Sequence, residues 1–326
     1  MSQSSSQMNF AEAIIDALCV AMDNDPKVSI IGRGISGHGA EAGADKRLAP
    51  YGDRVLDPPT SEAAVAMLSL GASMSGLRMF HHFGSGVFAF EAWNQVVNEA
   101  ANARYMSGGR LKSPVTYCMF HGLRNGGGPQ HSASLHGGYA HNPGLEVVMP
   151  ATPADAKGLV LTSLYSDNAT VMLVHPTLLA LRADVPGGDY RVPFGKAAVH
   201  KQGKDVTIVA ISRQVTEALK AADMLAKDGI SAEVVDPRTL VPLDEAGLLA
   251  SVAKTGRVVV ADEGPNFGSA SEIAAVIAEK GFKSLKAPIM RVNRPHTPVP
   301  FSPDMEAFMT PDAEKIAAAA RRTLAA

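Results

Sequence analysis

The chain is poor in cysteine, has no concentration of one charge and no long apolar run. Only two of its 326 residues are cysteines, Cys19 and Cys118, each within an apolar stretch. That excludes a disulfide framework and reads as two buried thiols. The formal net charge is -2, from 30 basic and 32 acidic residues, with no basic block and no aromatic-interleaved basic stripe. Nucleic-acid binding is therefore not expected. No apolar run reaches the length of a membrane span, and the Ser/Gln-rich start over 1–7 lacks the basic and apolar regions of a signal peptide. A cytoplasmic protein with a disordered tail over 1–7 and no membrane association is expected. The ten histidines raise the question of a metal, but there is no HExxH and no paired CxxC. His81 and His82 are adjacent and would point to opposite faces of a strand, so no metal site is expected. GxSxG is missing as well, which removes a serine-nucleophile elbow.

What is present is a composition of 46% hydrophobic and 19% charged residues, enough to fill two cores. Apolar residues recur at helical spacing over 9–23, and a short apolar strand comes next at 28–32. Strands at 54–56, 78–82, 115–120, 145–149 and 170–174 alternate with helices at 61–75, 88–106 and 153–165. Alternation of this kind implies a mostly parallel sheet flanked by helices. From about 179 to 192 periodicity disappears around Pro186-Gly187-Gly188, which reads as a linker. Beyond it, strands at 205–211, 232–235, 257–261 and 288–292 alternate with helices at 214–227, 244–254, 271–280 and 312–324. The fold class is α/β in two domains, 8–185 and 196–326, joined over 186–195.

Three features carry chemistry. Thr60-Ser61-Glu62 stands where a strand turns into an apolar helix, which places Glu62 in the first helical turn with hydrocarbon behind it. A buried acid there would hold or exchange a proton near neutral pH, whereas an acid capping the helix from the surface fits the same pattern. The segment from His121 to Ser132 contains Gly126-Gly127-Gly128 and lies just past a strand end, where parallel sheets place ligand loops. Its glycines would let backbone amides approach a ligand, and His131 just beyond them offers an imidazole for proton transfer; a surface turn is the equal alternative. Gly32-Arg33-Gly34-Ile35-Ser36-Gly37 matches a dinucleotide fingerprint with Asp57 further on. The helix that should open on Gly37 is poorly supported, so a glycine-rich active-site loop is the better reading. Phe88, Phe90 and Trp93 lie at helical spacing and read as core.

A chain-long set of motifs then assigns these pieces. Leu56-Asp57-Pro58-Pro59-Thr60-Ser61-Glu62, Tyr105-Met106-Ser107-Gly108-Gly109, Gln130-His131-Ser132, His141-Asn142-Pro143-Gly144-Leu145 and Asp155-Ala156-Lys157-Gly158-Leu159 occur in that order. Asp236-Pro237-Arg238-Thr239-Leu240, Pro242-Leu243-Asp244 and His296-Thr297-Pro298-Val299-Pro300-Phe301 continue the series. Together they resemble the β-subunits of thiamine-diphosphate-dependent pyruvate, branched-chain 2-oxo acid and acetoin dehydrogenases, a transketolase-like family. The resemblance implies a pyrimidine-binding domain over 8–185 and a transketolase C-terminal-type domain over 196–326. It implies that Glu62 hydrogen-bonds the cofactor's aminopyrimidine, that Phe88 stacks on it and that Tyr105 neighbours the site. It further implies that His131, beside Gln130, handles substrate or the incoming lipoyl group.

In this cofactor class a Gly-Asp-Gly motif with a later Asn holds the diphosphate through a metal. Gly52-Asp53 and Gly188-Asp189 both lack the second glycine. The diphosphate and Mg2+ are therefore expected on a separate α-subunit in an α2β2 heterotetramer that serves a lipoyl acyltransferase core. A potassium ion on main-chain carbonyls, as in relatives, is a further cofactor the resemblance admits. The expected activity is oxidative cleavage of a 2-oxo acid or acetoin with acyl transfer to lipoamide; the alternative is a transketolase-like carboligase that delivers the acyl anion to an aldehyde. Arg33 departs from the family's common acidic residue, and His81, His82 and Gly86 replace acidic, small or aromatic ones. Arg33 and His82 are thus expected to shape the donor pocket, for an anionic or bulkier donor.

Overall fold

The computed structural model describes residues 5–33 and 46–326. Strand β1 (Ser5–Asn9) runs straight into helix α1 (Phe10–Asn24). Asn9 makes the change of conformation by a reciprocal cap: its Oδ1 accepts from Glu12 N–H at 2.8 Å, and Glu12 Oε2 accepts from Asn9 N–H at 2.7 Å. The chain divides into two compact units, one made of Met1–His121 with Tyr139–Phe194 and the other of Gly122–Gly138 with Gly195–Ala326.

In the first unit α1 leads to β2 (Val28–Gly32), β3 (Val55–Leu56), α2 (Glu62–Met74), β4 (Arg78–Ser85), α3 (Ala101–Met106) and β5 (Val115–Phe120). After the short α4 (His136–Ala140) come β6 (Glu146–Val148), α5 (Pro153–Leu164), β7 (Thr170–Val174) and β8 (Arg182–Pro186). The order β6-β7-β5-β4-β2-β3 is parallel at every pairing. Every residue of β2 and β7 is buried, which is why these strands read as mostly apolar, broken only by Ser29 and Thr170, instead of alternating. Helices α1 and α5 pack on each other, and Phe10, Leu18, Met22, Leu159 and Leu164 join one core with Val28, Ile30, Phe80 and Met172. Each such buried side chain contributes about 1.5–3 kcal/mol.

Three sequence expectations need correction here. The start of the chain was expected to be disordered to residue 7 and the stretch after Leu179 irregular. Instead β1 pairs antiparallel with β8, Ser5 opposite Pro186 and Asn9 opposite Arg182. β1 does not alternate in polarity, and in β8 the alternation runs over only Arg182 to Val185 before Pro186, too short to announce a strand. The helix expected without interruption over 88–106 is a 3-10 turn at Phe88–Phe90, a wide π-helical stretch at Asn94–Ala100, and then α3. Strand β4 also extends to Ser85, with a break in register after His82 where Gly84 takes φ 73°.

The second unit contains β9 (Ala198–Lys201), β10 (Val206–Ala210), α6 (Gln214–Lys227), β11 (Ala232–Asp236), β12 (Thr239–Val241) and α7 (Glu245–Thr255). β13 (Val258–Pro265), α8 (Ser269–Lys280), β14 (Met290–Arg294), α9 (Pro303–Met309) and α10 (Ala313–Ala325) complete it. Its sheet has the order β14-β13-β10-β11-β9, parallel except for β9, which runs antiparallel to β11. The short β9, β12 and α9 were not expected, because each is too brief for a period to register. Among the described residues no helix is long and apolar enough to cross a membrane.

Candidate active site

The carboxyl ends of β2 and β4 meet in register at Gly32 and His82. The strands approach so closely there that a Cβ on Gly32 would lie 2.9 Å from His82 Cβ and 2.8 Å from its carbonyl oxygen. Gly32 is required by this contact. The His82 ring stands edge-on to Phe120 at 5.1 Å between centroids. Its neighbour His81 turns to the other side, stacks on Phe83 at 4.1 Å and has Nδ1 3.1 Å from Ser69 Oγ of α2. Burial, with a smaller contribution from His82, lowers His81 to about 3, and burial lowers His82 to about 4. Both imidazoles are neutral at physiological pH. Arg33, the next residue after Gly32, is exposed. Gly34 to Gly37, the rest of the glycine fingerprint, lie outside the described residues.

Glu62 is the first residue of α2, and Ser61 before it makes no side-chain capping bond. The expectation of an acid enclosed in hydrocarbon is corrected: Glu62 is partly exposed in this chain. Met67 and Leu68 of the same helix are exposed too, so α2 turns an uncovered face outward. The turn Phe88–Phe90 packs against α2, and Phe88 is 39% exposed, not part of the core that its spacing suggested. The structure thus puts a carboxylate and an uncovered aromatic ring on neighbouring elements. Tyr105, 87% exposed on α3, lines a different cleft of about 410 Å3 with Arg104, Gly108, Gly109, Gly144 and Asn168. Neither Glu62 nor Phe88 lines that cleft.

Gln130 and His131 are exposed and belong to the other unit, within Gly122–Gly138. Part of the loop's backbone before them is already engaged by the chain's own acids. Asn125 N–H and Gly126 N–H donate to Glu306 Oε1 and Oε2 at 2.5 and 2.9 Å, and Leu123 N–H donates to Glu263 Oε1 at 2.7 Å. Just beyond, His136 Nε2 lies 3.0 Å from the Asp262 carboxylate, both side chains being buried. Burial pulls His136 down, but the charge of Asp262 and its hydrogen bond outweigh this and hold the ring above its ordinary value. Sequence reading missed Asp262, Glu263 and Glu306. For the first two a signal existed, two consecutive acids closing the apolar run Val258-Val259-Val260-Ala261; for Glu306 there was none.

A parallel α/β unit with a carboxylate and an aromatic ring beside its strand ends, joined in sequence to a second α/β unit, is the architecture of transketolase-type enzymes. Residues 6–182 match the transketolase pyrimidine-binding domain and residues 195–316 the transketolase C-terminal domain. The chain is 42% identical to the β-subunit of acetoin:2,6-dichlorophenolindophenol oxidoreductase from Cupriavidus necator, over 96% of each chain. It is 39% identical to the pyruvate dehydrogenase E1 β-subunit of Bacillus subtilis, over 98% of this chain and 99% of that one. The 2-oxoisovalerate dehydrogenase β-subunit of the same organism is 36% identical, over 97% and 98%. In fold it resembles a split-gene transketolase described as an inactive β4 tetramer, with a TM-score of 0.81 and 24% identity over 96% of this chain and 97% of that one. The chain belongs to the family of transketolase-type β-subunits of acetoin and 2-oxo acid dehydrogenases.

Proposed function

We propose that this chain is the β-subunit of an αβ enzyme that oxidatively cleaves acetoin or a 2-oxo acid with thiamine diphosphate and passes the acyl group to lipoamide. The observation that carries the reading is Glu62, a partly open carboxylate at the start of α2, the helix against which the turn bearing the uncovered ring of Phe88 packs. An aminopyrimidine needs that donor set, a carboxyl group for a ring nitrogen and a flat apolar face for the ring. Bound thiamine diphosphate supplies a carbon acid that stabilises the charge left when a bond beside a carbonyl breaks.

The chain's own groups do the rest. Glu62 would hold and move a proton at its carboxyl oxygen, facing a ring nitrogen of the bound aminopyrimidine, and Phe88 would offer that ring an apolar face and shield it from water. Tyr105 lines a separate cleft, and its place beside the cofactor rests on the family motif alone. His131, assisted by Gln130, exchanges a proton with the donor or the incoming acceptor. Arg33 and the neutral His82 border the donor: a guanidinium favours an anionic or strongly polar group, and an uncharged imidazole adds bulk without repelling it. The α-subunit contributes the diphosphate cradle and Mg2+, in line with the lack of Gly-Asp-Gly in the sequence. An α2β2 assembly serving a lipoyl acyltransferase core completes the proposal, with potassium on main-chain carbonyls as a further cofactor. Relatives at 36–42% identity are named as oxidoreductase or dehydrogenase subunits, which favours the oxidative reading over aldehyde ketol formation.

The test is dye reduction by the chain assembled with its α-subunit, thiamine diphosphate and Mg2+, with acetoin and a series of 2-oxo acids as donors. Glu62→Gln should lower turnover at least about a hundredfold, the scale of a lost general acid-base group, with the cofactor still bound. Turnover unchanged by that substitution would remove the assignment.

A further inference from the structure

The segment that carries His131 is fastened by acids from the far end of the chain. Glu306 sits on α9, is only 5% exposed, and presents both carboxylate oxygens to two successive backbone N–H groups, those of Asn125 and Gly126. Those residues adopt φ of 57° and 97°, left-handed values suited to Asn and Gly. Successive amides that converge in this way form a nest for an anion, and here the anion is the chain's own carboxylate. The turn is braced from another side by Phe301. A Cβ on Gly128, where φ is 63°, would come within 2.4 Å of the Phe301 ring. Glu263 takes the Leu123 N–H, and the loop closes on itself through His131 N–H to Gly128 O at 3.3 Å and Gly122 N–H to Ala133 O at 2.8 Å.

We propose that Glu306 is a positioning residue that acts through His131: by binding the Asn125-Gly126 nest it fixes the backbone from which His131 projects. The proposal rests on the role given to His131 above. A carboxylate suits the task because two donors meet two acceptors. Glutamine at 306 offers one acceptor and turns an NH2 toward the second N–H, so one bond is lost and a donor faces a donor. Aspartate keeps both acceptors on a side chain one methylene shorter.

Amide hydrogen exchange on the full chain tests the latch without reference to activity. Glu306→Gln should raise exchange across 122–133 about tenfold, the value of one charge-assisted hydrogen bond, with α10 unaffected. In the assembled αβ complex the same substitution should lower kcat by a similar factor at unchanged donor KM. In a His131→Ala background it should cost nothing further, because the two residues then act as one unit. Glu306→Asp should recover part of both effects, and it replaces the glutamine variant if that fails to fold. Unchanged exchange would overturn the latch with the role of His131 intact. Raised exchange with unaltered kcat, or losses that multiply with His131→Ala, would overturn positioning through His131. A fully active His131→Ala complex would refute the role of His131 itself, and with it the positioning role of Glu306.

Discussion

The ammonium group of Lys157, wholly buried on α5, forms an ion pair with the Asp16 carboxylate of α1 at 2.6 Å and donates a hydrogen bond to the Pro186 carbonyl at 2.7 Å. One side chain therefore ties α1, α5 and β8 together. The motif Asp155-Ala156-Lys157-Gly158-Leu159, which in the sequence pointed only to a family, is in physical terms a fastening of the first unit.

Lys157→Met keeps the volume and removes the charge. Because Asp16 stays about a quarter exposed and keeps some hydration, the loss should fall below that of a fully buried pair, at about 2 kcal/mol. Urea denaturation followed by far-UV circular dichroism measures it. A change within about 0.5 kcal/mol, the range of an ordinary surface substitution, would show that the pair does not hold these elements.

The histidines predict a stability maximum bounded on both sides. His81 titrates at about 3 when folded and at about 6.5 when unfolded, so below pH 6.5 the unfolded chain takes up a proton that the folded chain refuses. Stability should be complete above that point and fall toward pH 3 by about 1.4 kcal/mol per pH unit. His136 acts in the opposite sense. Its raised folded value means a contribution that is full below pH 6.5 and lost as pH rises through that folded value. Melting temperature measured against pH for His81→Phe should show a shallower acid limb; superimposable limbs would contradict the assignment.

Gly32→Ala should be costly although Gly32 lies in a regular strand at no special φ. The added methyl group has only the His82 backbone and Cβ to meet, and neither is the flexible end of a side chain. Overpacking of this kind costs about 1–3 kcal/mol. The displaced His82 ring should also alter donor preference, so kinetics with several donors beside thermal denaturation provides the check. Wild-type values in both would mean that β2 can slide away from β4 freely.

Arg33→Glu reverses the charge at the end of β2. If Arg33 faces the donor, activity should shift from anionic donors such as 2-oxo acids toward neutral ones such as acetoin, by about tenfold in relative kcat/KM. An identical donor ranking in the two proteins would separate Arg33 from specificity.

The sheet of the first unit was legible because its central strands are mostly apolar runs between turn residues, and α1 because apolar residues recur at helical spacing over 9–23. β1 and β8 were not, since their pairing is a matter of backbone bonds between segments far apart in sequence. Glu62 was legible as the start of a helix. Its partial exposure was not, because the order of residues records neighbours along the chain and not the groups that cover a side chain in space. Glu306 was invisible for a related reason: its partners are backbone amides, and amides have no letter of their own.

The π-helical stretch at Asn94–Ala100 has a consequence for insertion and deletion. A wide turn accommodates one residue more than an α-helical one, so removing a single residue between 94 and 100 would let the segment relax to ordinary winding. Because the wider winding advances less per residue, the shortened segment would turn through nearly the same total angle, and α3 with Tyr105 would keep its facing. The extra residue is absorbed where it stands, and this segment should take a one-residue deletion more easily than an ordinary helix, in which every later residue would swing by about 100°.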